Sequence, residues 1–191
     1  MATSTATLLT DSLSPNLMST TRTAVVASGG SHTELDAISL LKAELDTLGI
    51  LLSECECART LAAMKERVDE ICVAFRVHTQ VAEEIFYPHV MAASPARWRQ
   101  RQPGGDQTIA KRLVQQLENA EPRDASYDSR VTVLSGLIAQ HIRQMKVEDL
   151  PIATASSLDM ASLGARMAQR KSDLLACRGP SHVGSARQGP T

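Results

Sequence analysis

The stretch 64–88, MKERVDEICVAFRVHTQVAEEIFYP, decides the fold. Met64, Val68, Ile71, Phe75, His78, Ala82 and Ile85 recur within it at alternating steps of four and three. Residues spaced this way lie one above another on a single helix face. A strand would instead alternate with a period of two. The face is apolar except at one position, His78.

The same spacing appears on both sides. Upstream, Ile38, Leu41, Leu45, Leu48, Leu52 and Cys55 form a stripe. Downstream come Gln107, Ala110, Val114 and Leu117, then Val131, Leu134, Ile138, His141, Met145 and Glu148. Four such stripes bury one another, which predicts an all-α, antiparallel up-down-up-down four-helix bundle with helices crossing at about 20°. A shorter amphipathic segment follows Pro151, at about 158–176, with Leu163, Met167, Leu174 and Leu175. It is expected to pack as a fifth helix. Thr33 and Asp106 are the expected caps of the first and third helices, with Gly104 and Gly105 before the latter. Pro95 and Pro103 fall in the link between helices two and three, and Pro122 and Asp124 mark the turn into helix four.

Composition agrees. Hydrophobic residues make up 43% of the 191 and aromatics only 3%, so the core is aliphatic and a sandwich or barrel is disfavoured. A net charge of -1 supplies no broad field toward nucleic acid or an anionic membrane. No apolar run reaches the roughly 20 residues of a membrane span. Residues 1–33 are rich in Ser and Thr, with Arg22 as their one Lys or Arg, and lack the pattern of a secretory signal. They are expected to be a disordered tail, as is the Gly-, Pro- and Ser-containing segment 178–191. That leaves 34–177 as the domain and the cytoplasm as the expected location.

Cys55, Cys57, Cys72 and Cys177 do not make a disulfide framework in a chain of this length. Cys55 and Cys57 face different ways on a helix, so buried thiols in a reducing compartment are expected rather than a Cys-x-Cys metal site. Arg97, Trp98, Arg99 and Arg101 read as a solvated inter-helix loop, because one aromatic is no stacking platform for bases. There is no P-loop, dinucleotide fingerprint or nucleophile elbow, and the chain is not expected to be an enzyme.

Function is to be sought where polar residues enter the stripes: His78, Gln107 and His141. Polar groups removed from water need hydrogen-bond partners or a metal. Two of the three belong to an internal repeat. HTQVAEEIFYP (78–88) and HIRQMKVEDLP (141–151) share a His-x9-Pro frame. Each proline removes a helix hydrogen bond and is expected to bend or end its helix.

The segments DAISLLKAELD (36–46), ICVAFRVHTQVAEEIFYP (71–88), IAKRLVQQLE (109–118), RVTVLSGLIAQHIRQMKVEDLP (130–151) and LGARMAQRKSDLLA (163–176) together resemble the bacterial hemerythrin-like, HHE cation-binding domains. The resemblance covers about 35–176. It implies a bundle built around a non-haem di-iron centre that binds oxygen or nitric oxide. It also implies ligands at set positions. Glu44-Leu45 stands where the family carries an Asp-His pair. His78 is followed four residues later by Ala82 instead of Glu. Gln107 stands at a histidine position, and His141 is followed by Met145 instead of Glu.

Only His78 and His141 remain of that set. Glu83, five residues past His78, lies about 140° round the helix and does not replace Ala82. Iron prefers imidazole and carboxylate, which Leu45, Ala82 and Met145 do not supply. The expectation is therefore a degenerate member without the di-iron cofactor. Leu45 and Met145 fill the metal's volume, and His78, Gln107 and His141 form a hydrogen-bonded cluster. Such a bundle would serve as a non-catalytic interaction or regulatory module for a protein partner. The alternative is a single transition metal, or another ligand, held through His78 and His141 with Gln107 or Met145. A rearranged di-iron site would need Glu148, Glu44 or Asp46 to turn inward.

Overall fold

The computed structural model describes residues 36–99 and 105–177, and among these every regular element is helical. Six helices follow in order. Helix α1 is Ala37–Glu56. Helix α2 runs from Leu61–Val81 through Ala82–Phe86 into Tyr87–Ala93. Helix α3 is Pro95–Arg99 and α4 is Gly105–Glu118. Helix α5 runs from Tyr127–Gln144 through Met145–Asp149 into Leu150–Thr154, and α6 is Met160–Ala176. No helix among the described residues is long and apolar enough to cross a membrane.

Side chains fix the helix starts. The Asp36 carboxylate accepts from the Ser39 N–H at 2.8 Å, the Thr60 hydroxyl from Ala63 at 3.1 Å, and the Asp159 carboxylate from Ser162 at 3.1 Å. Each satisfies a donor that the first turn leaves unpaired. Thr33, expected to cap the first helix, lies outside the described residues, as do Arg101, Pro103, Gly104 and the expected tails 1–33 and 178–191. Asp106 sits inside the first turn of α4 rather than before it, and its carboxylate accepts from Gln140 of α5 at 2.7 Å. The expected turn is present: Asp124 N–H donates to the Glu121 carbonyl, and Tyr127 N–H to Asp124.

The stripes are what is buried. Helix α1 packs on α2 and α6, and α4 packs on α5 and α2. One core group gathers Leu48, Ile71, Phe75, Val114, Leu117 and Ile138. The other gathers Leu41, Leu45, Val81, Phe86, Met145 and Met167. Each fully buried aliphatic side chain contributes about 1.5–3 kcal/mol against leaving it in water. In α6, Leu163 and Met167 are buried, Leu174 partly so, and Leu175 is exposed. The link after α2 is not a plain loop: it carries α3, and Trp98 lies against Tyr87 with ring centroids 5.2 Å apart. Arg97 and Arg99 are exposed. All four cysteines are free, and only Cys55 and Cys72 are buried; the exposure of Cys57 and Cys177 corrects the expectation of buried thiols.

The prolines of the repeat end neither helix. Instead, each is preceded by one widened π turn, in which Tyr87 N–H bonds to the Ala82 carbonyl and Leu150 N–H to the Met145 carbonyl. Pro88 and Pro151 lack an N–H, and their rings crowd the carbonyl four residues back. Opening one turn relieves that crowding and lets the helix continue. Both π turns begin four residues after the repeat's histidine.

A π turn absorbs one extra residue, so later positions slip by about 100° from the ideal helix register. The stripe shifts accordingly. Glu148, seven past His141, is exposed, while Asp149, eight past, is fully buried. Phe86, eight past His78, is likewise fully buried.

Candidate functional site

His78 from α2 and His141 from α5 meet in the interior. Their Nε2 atoms are 3.2 Å apart, with ring centroids 5.3 Å apart and planes at 74°. Both are buried because each occupies a stripe position one turn before its π turn. The Phe75 ring meets His141 edge-on, with centroids 5.6 Å apart.

The other nitrogen of His78 reaches α1: Nδ1 lies 2.9 Å from Glu44 Oε2. The second carboxylate oxygen, Oε1, is 2.9 Å from the Lys171 ammonium of α6. Lys171, Glu44, His78 and His141 thus form a polar line contributed by four different helices. Glu44 is only 7% exposed, so its charge depends on these partners.

Burial alone would raise the Glu44 carboxyl. The hydrogen bond and charge of His78, then those of Lys171, outweigh it and hold Glu44 below the usual glutamate range. An ionised Glu44 can only accept, so His78 Nδ1–H donates to it. Between the two Nε2 atoms there is room for one proton, because two N–H groups facing at this distance would collide. Either ring can carry it, and the other accepts.

The remaining expected positions divide. Leu45, Ala82 and Met145 are fully buried in one apolar group. Gln107 does not join the histidines: its amide donates to Glu83 at 3.0 Å. This corrects the expected His78–Gln107–His141 cluster, in which Glu44 takes the place of Gln107. A cavity of about 10 Å³ beside Gln107 and His141 holds at most one water. Glu83 also accepts from Lys111, Glu84 accepts from Arg170 at 2.6 Å, and Asp46 accepts from Lys146 at 2.6 Å, all at the surface. Of Glu148, Glu44 and Asp46, only Glu44 faces inward.

A second buried polar group was missed by sequence reasoning. Tyr87 Oη lies 3.1 Å from Met145 Sδ and 3.4 Å from Asp149 Oδ2. It exists because the π turn swings Asp149 inward.

Two imidazole nitrogens on one tetrahedral ion sit roughly 3.3 Å apart. The His78–His141 spacing is compatible with that chord. Among the described residues, however, no group of three or more His, Cys, Asp or Glu is arranged to hold a metal ion. The two imidazoles touch with no carboxylate between them, and Glu44 is bonded to the far nitrogen of His78. No family model, curated protein or solved structure matches this chain.

Proposed function

We propose that the chain is a degenerate hemerythrin-like bundle acting as a non-catalytic interaction or regulatory module in the bacterial cytoplasm. In this reading α1, α2, α4 and α5 form an antiparallel up-down-up-down bundle, with α6 as the added fifth helix. Glu44, His78 and His141 occupy the interior where related proteins carry iron, with Lys171 at the solvent end of the line. One observation carries the reading: Leu45, Ala82 and Met145 are fully buried at three positions where the resemblance places ligands. None of these side chains supplies the imidazole or carboxylate that iron prefers, and methionine suits an irregular gap. The two histidines meanwhile bond to each other. Optical spectra of air-oxidised protein test this. The expected spectrum has no charge-transfer band near the blue–ultraviolet edge, and a strong iron-dependent band there would overturn the reading.

A second reading is favoured by the 3.2 Å separation of the two Nε2 atoms. It assigns a single Zn(II) or Cu(I) to His78 and His141, with Glu44 steadying the His78 ring from its far side. Under it, added metal raises the melting temperature, and His78→Ala with His141→Ala abolishes the rise. An unchanged response in the double variant rejects it.

A further inference from the structure

A groove of about 980 Å³ runs beside α2, from Ala62 to His78, and is closed by Glu44 and Thr47 of α1 and by Lys171 and Leu175 of α6. Its size lies at the upper end of the range for small-ligand sites. Val73, Ala74 and Val77 give it an apolar wall, and Leu175, 45% exposed, stands opposite as an apolar surface that the fold leaves in water. Glu66, Asp69, Glu70 and Glu121 border it; Asp69 pairs with Lys65, and Glu66 and Glu70 with Arg67, so with Glu44 counted against Lys171 the rim keeps a small excess of negative charge that favours a cation.

At the inner end lies Glu44, a buried carboxylate with one oxygen committed to His78 and the other facing Lys171. The Lys171 side chain is 36% exposed, so its half of this ion pair is reached by solvent. The carboxylate needs a cation because it is buried, but the cation that supplies it is a flexible, solvated lysine whose fixing costs side-chain entropy. An outside ammonium carrying an apolar body would make the same pair and also bury that body against Val73, Val77 and Leu175. Each Å² of apolar surface so buried adds about 25 cal/mol.

We propose that this groove binds an amphiphilic monocation, an ammonium group on an apolar body, with Glu44 as its counter-ion and Lys171 as the internal cation it displaces. One buried carboxylate oxygen calls for one positive charge, and the apolar walls call for a hydrocarbon body rather than a polyamine. Glu44 also bonds His78, so occupancy of the groove is felt at the histidine pair.

Calorimetric titration of the full chain with n-octylammonium, octanoate and octanol tests this. The expected result is saturable binding of the ammonium, at least about tenfold tighter than either comparator, a gap of roughly 1.4 kcal/mol. Lys171→Ala tightens it by about threefold or more, since the internal competitor is gone. Glu44→Gln weakens it by about tenfold or more. Should Glu44→Gln fail to fold, imidazole NMR of the wild-type chain supplies the second readout, with His78 responding to octylammonium and the distant His89 not. Equal binding of all three probes, no binding, or indifference to Lys171→Ala overturns the proposal. Binding here and iron at the histidines are separate properties, so either result stands without the other.

Discussion

His78 and His141, 63 residues apart in sequence, meet ring tip to ring tip with 3.2 Å between their Nε2 atoms. Each occupies the same place in a His-x9-Pro repeat, one turn ahead of a π turn. The repeat therefore brings two equivalent positions together in space, within hydrogen-bond distance of each other.

Breaking this pair leaves a buried group unpartnered. His78→Leu keeps volume but removes the donor to Glu44, and is expected to cost about 3 kcal/mol. His141→Leu removes the hydrogen bond to His78 Nε2 while leaving the Glu44 bond in place, and should cost about 1–2 kcal/mol. Urea unfolding of both singles and the double gives the coupling, expected to be at least about 1 kcal/mol. Strict additivity would mean that the rings do not interact.

Glu44 predicts a particular acid response. Its folded carboxyl is held below its ordinary value, chiefly because His78 and Lys171 outweigh the opposing effect of burial. Its contribution is therefore present above the unfolded value of about 4.3 and is lost as pH falls through the lower folded value. Glu44→Gln should flatten stability against pH below about 4.3. Parallel curves for variant and wild type would show that Glu44 is not held this way.

Tyr127 is fully buried, and its hydroxyl has no hydrogen-bond partner among the described residues. Burial pushes its ionisation well above the ordinary tyrosine value. Tyr127→Phe removes an unsatisfied oxygen at constant shape, so stability should rise by about 1 kcal/mol. Calorimetric melting would detect that as an increase of a few degrees. A comparable loss would mean that the hydroxyl is bonded.

The π turn of α5 should behave as one residue inserted to accommodate Pro151. Val147 lies in it and is 73% exposed, so deleting Val147 removes little packing. Deletion alone restores α-helical register and brings back the proline clash, at about 3 kcal/mol. Adding Pro151→Ala should recover most of that. If the second change gives no recovery, proline crowding is not the cause of the turn.

Much of the fold was legible from residue spacing. Leu41, Leu45, Leu48, Ile71, Phe75, Leu134 and Ile138 are buried where their steps of three and four put them. The site was legible only in part. A constant turn of about 100° per residue pointed to Glu148 and concealed Asp149, because it cannot anticipate a π turn. The twin prolines were the available signal. Glu44 could have been found, since Ala37, Leu41, Glu44 and Leu48 also step by four, three and four. Gln107 sits on its stripe, but Glu83 at the surface satisfies its amide instead.

Metal content of the freshly purified chain, from cells grown with added iron, tests the central claim most directly. With Leu45, Ala82 and Met145 closing the interior, iron well below stoichiometric is predicted. A pair of irons per chain, retained through desalting, would contradict the account.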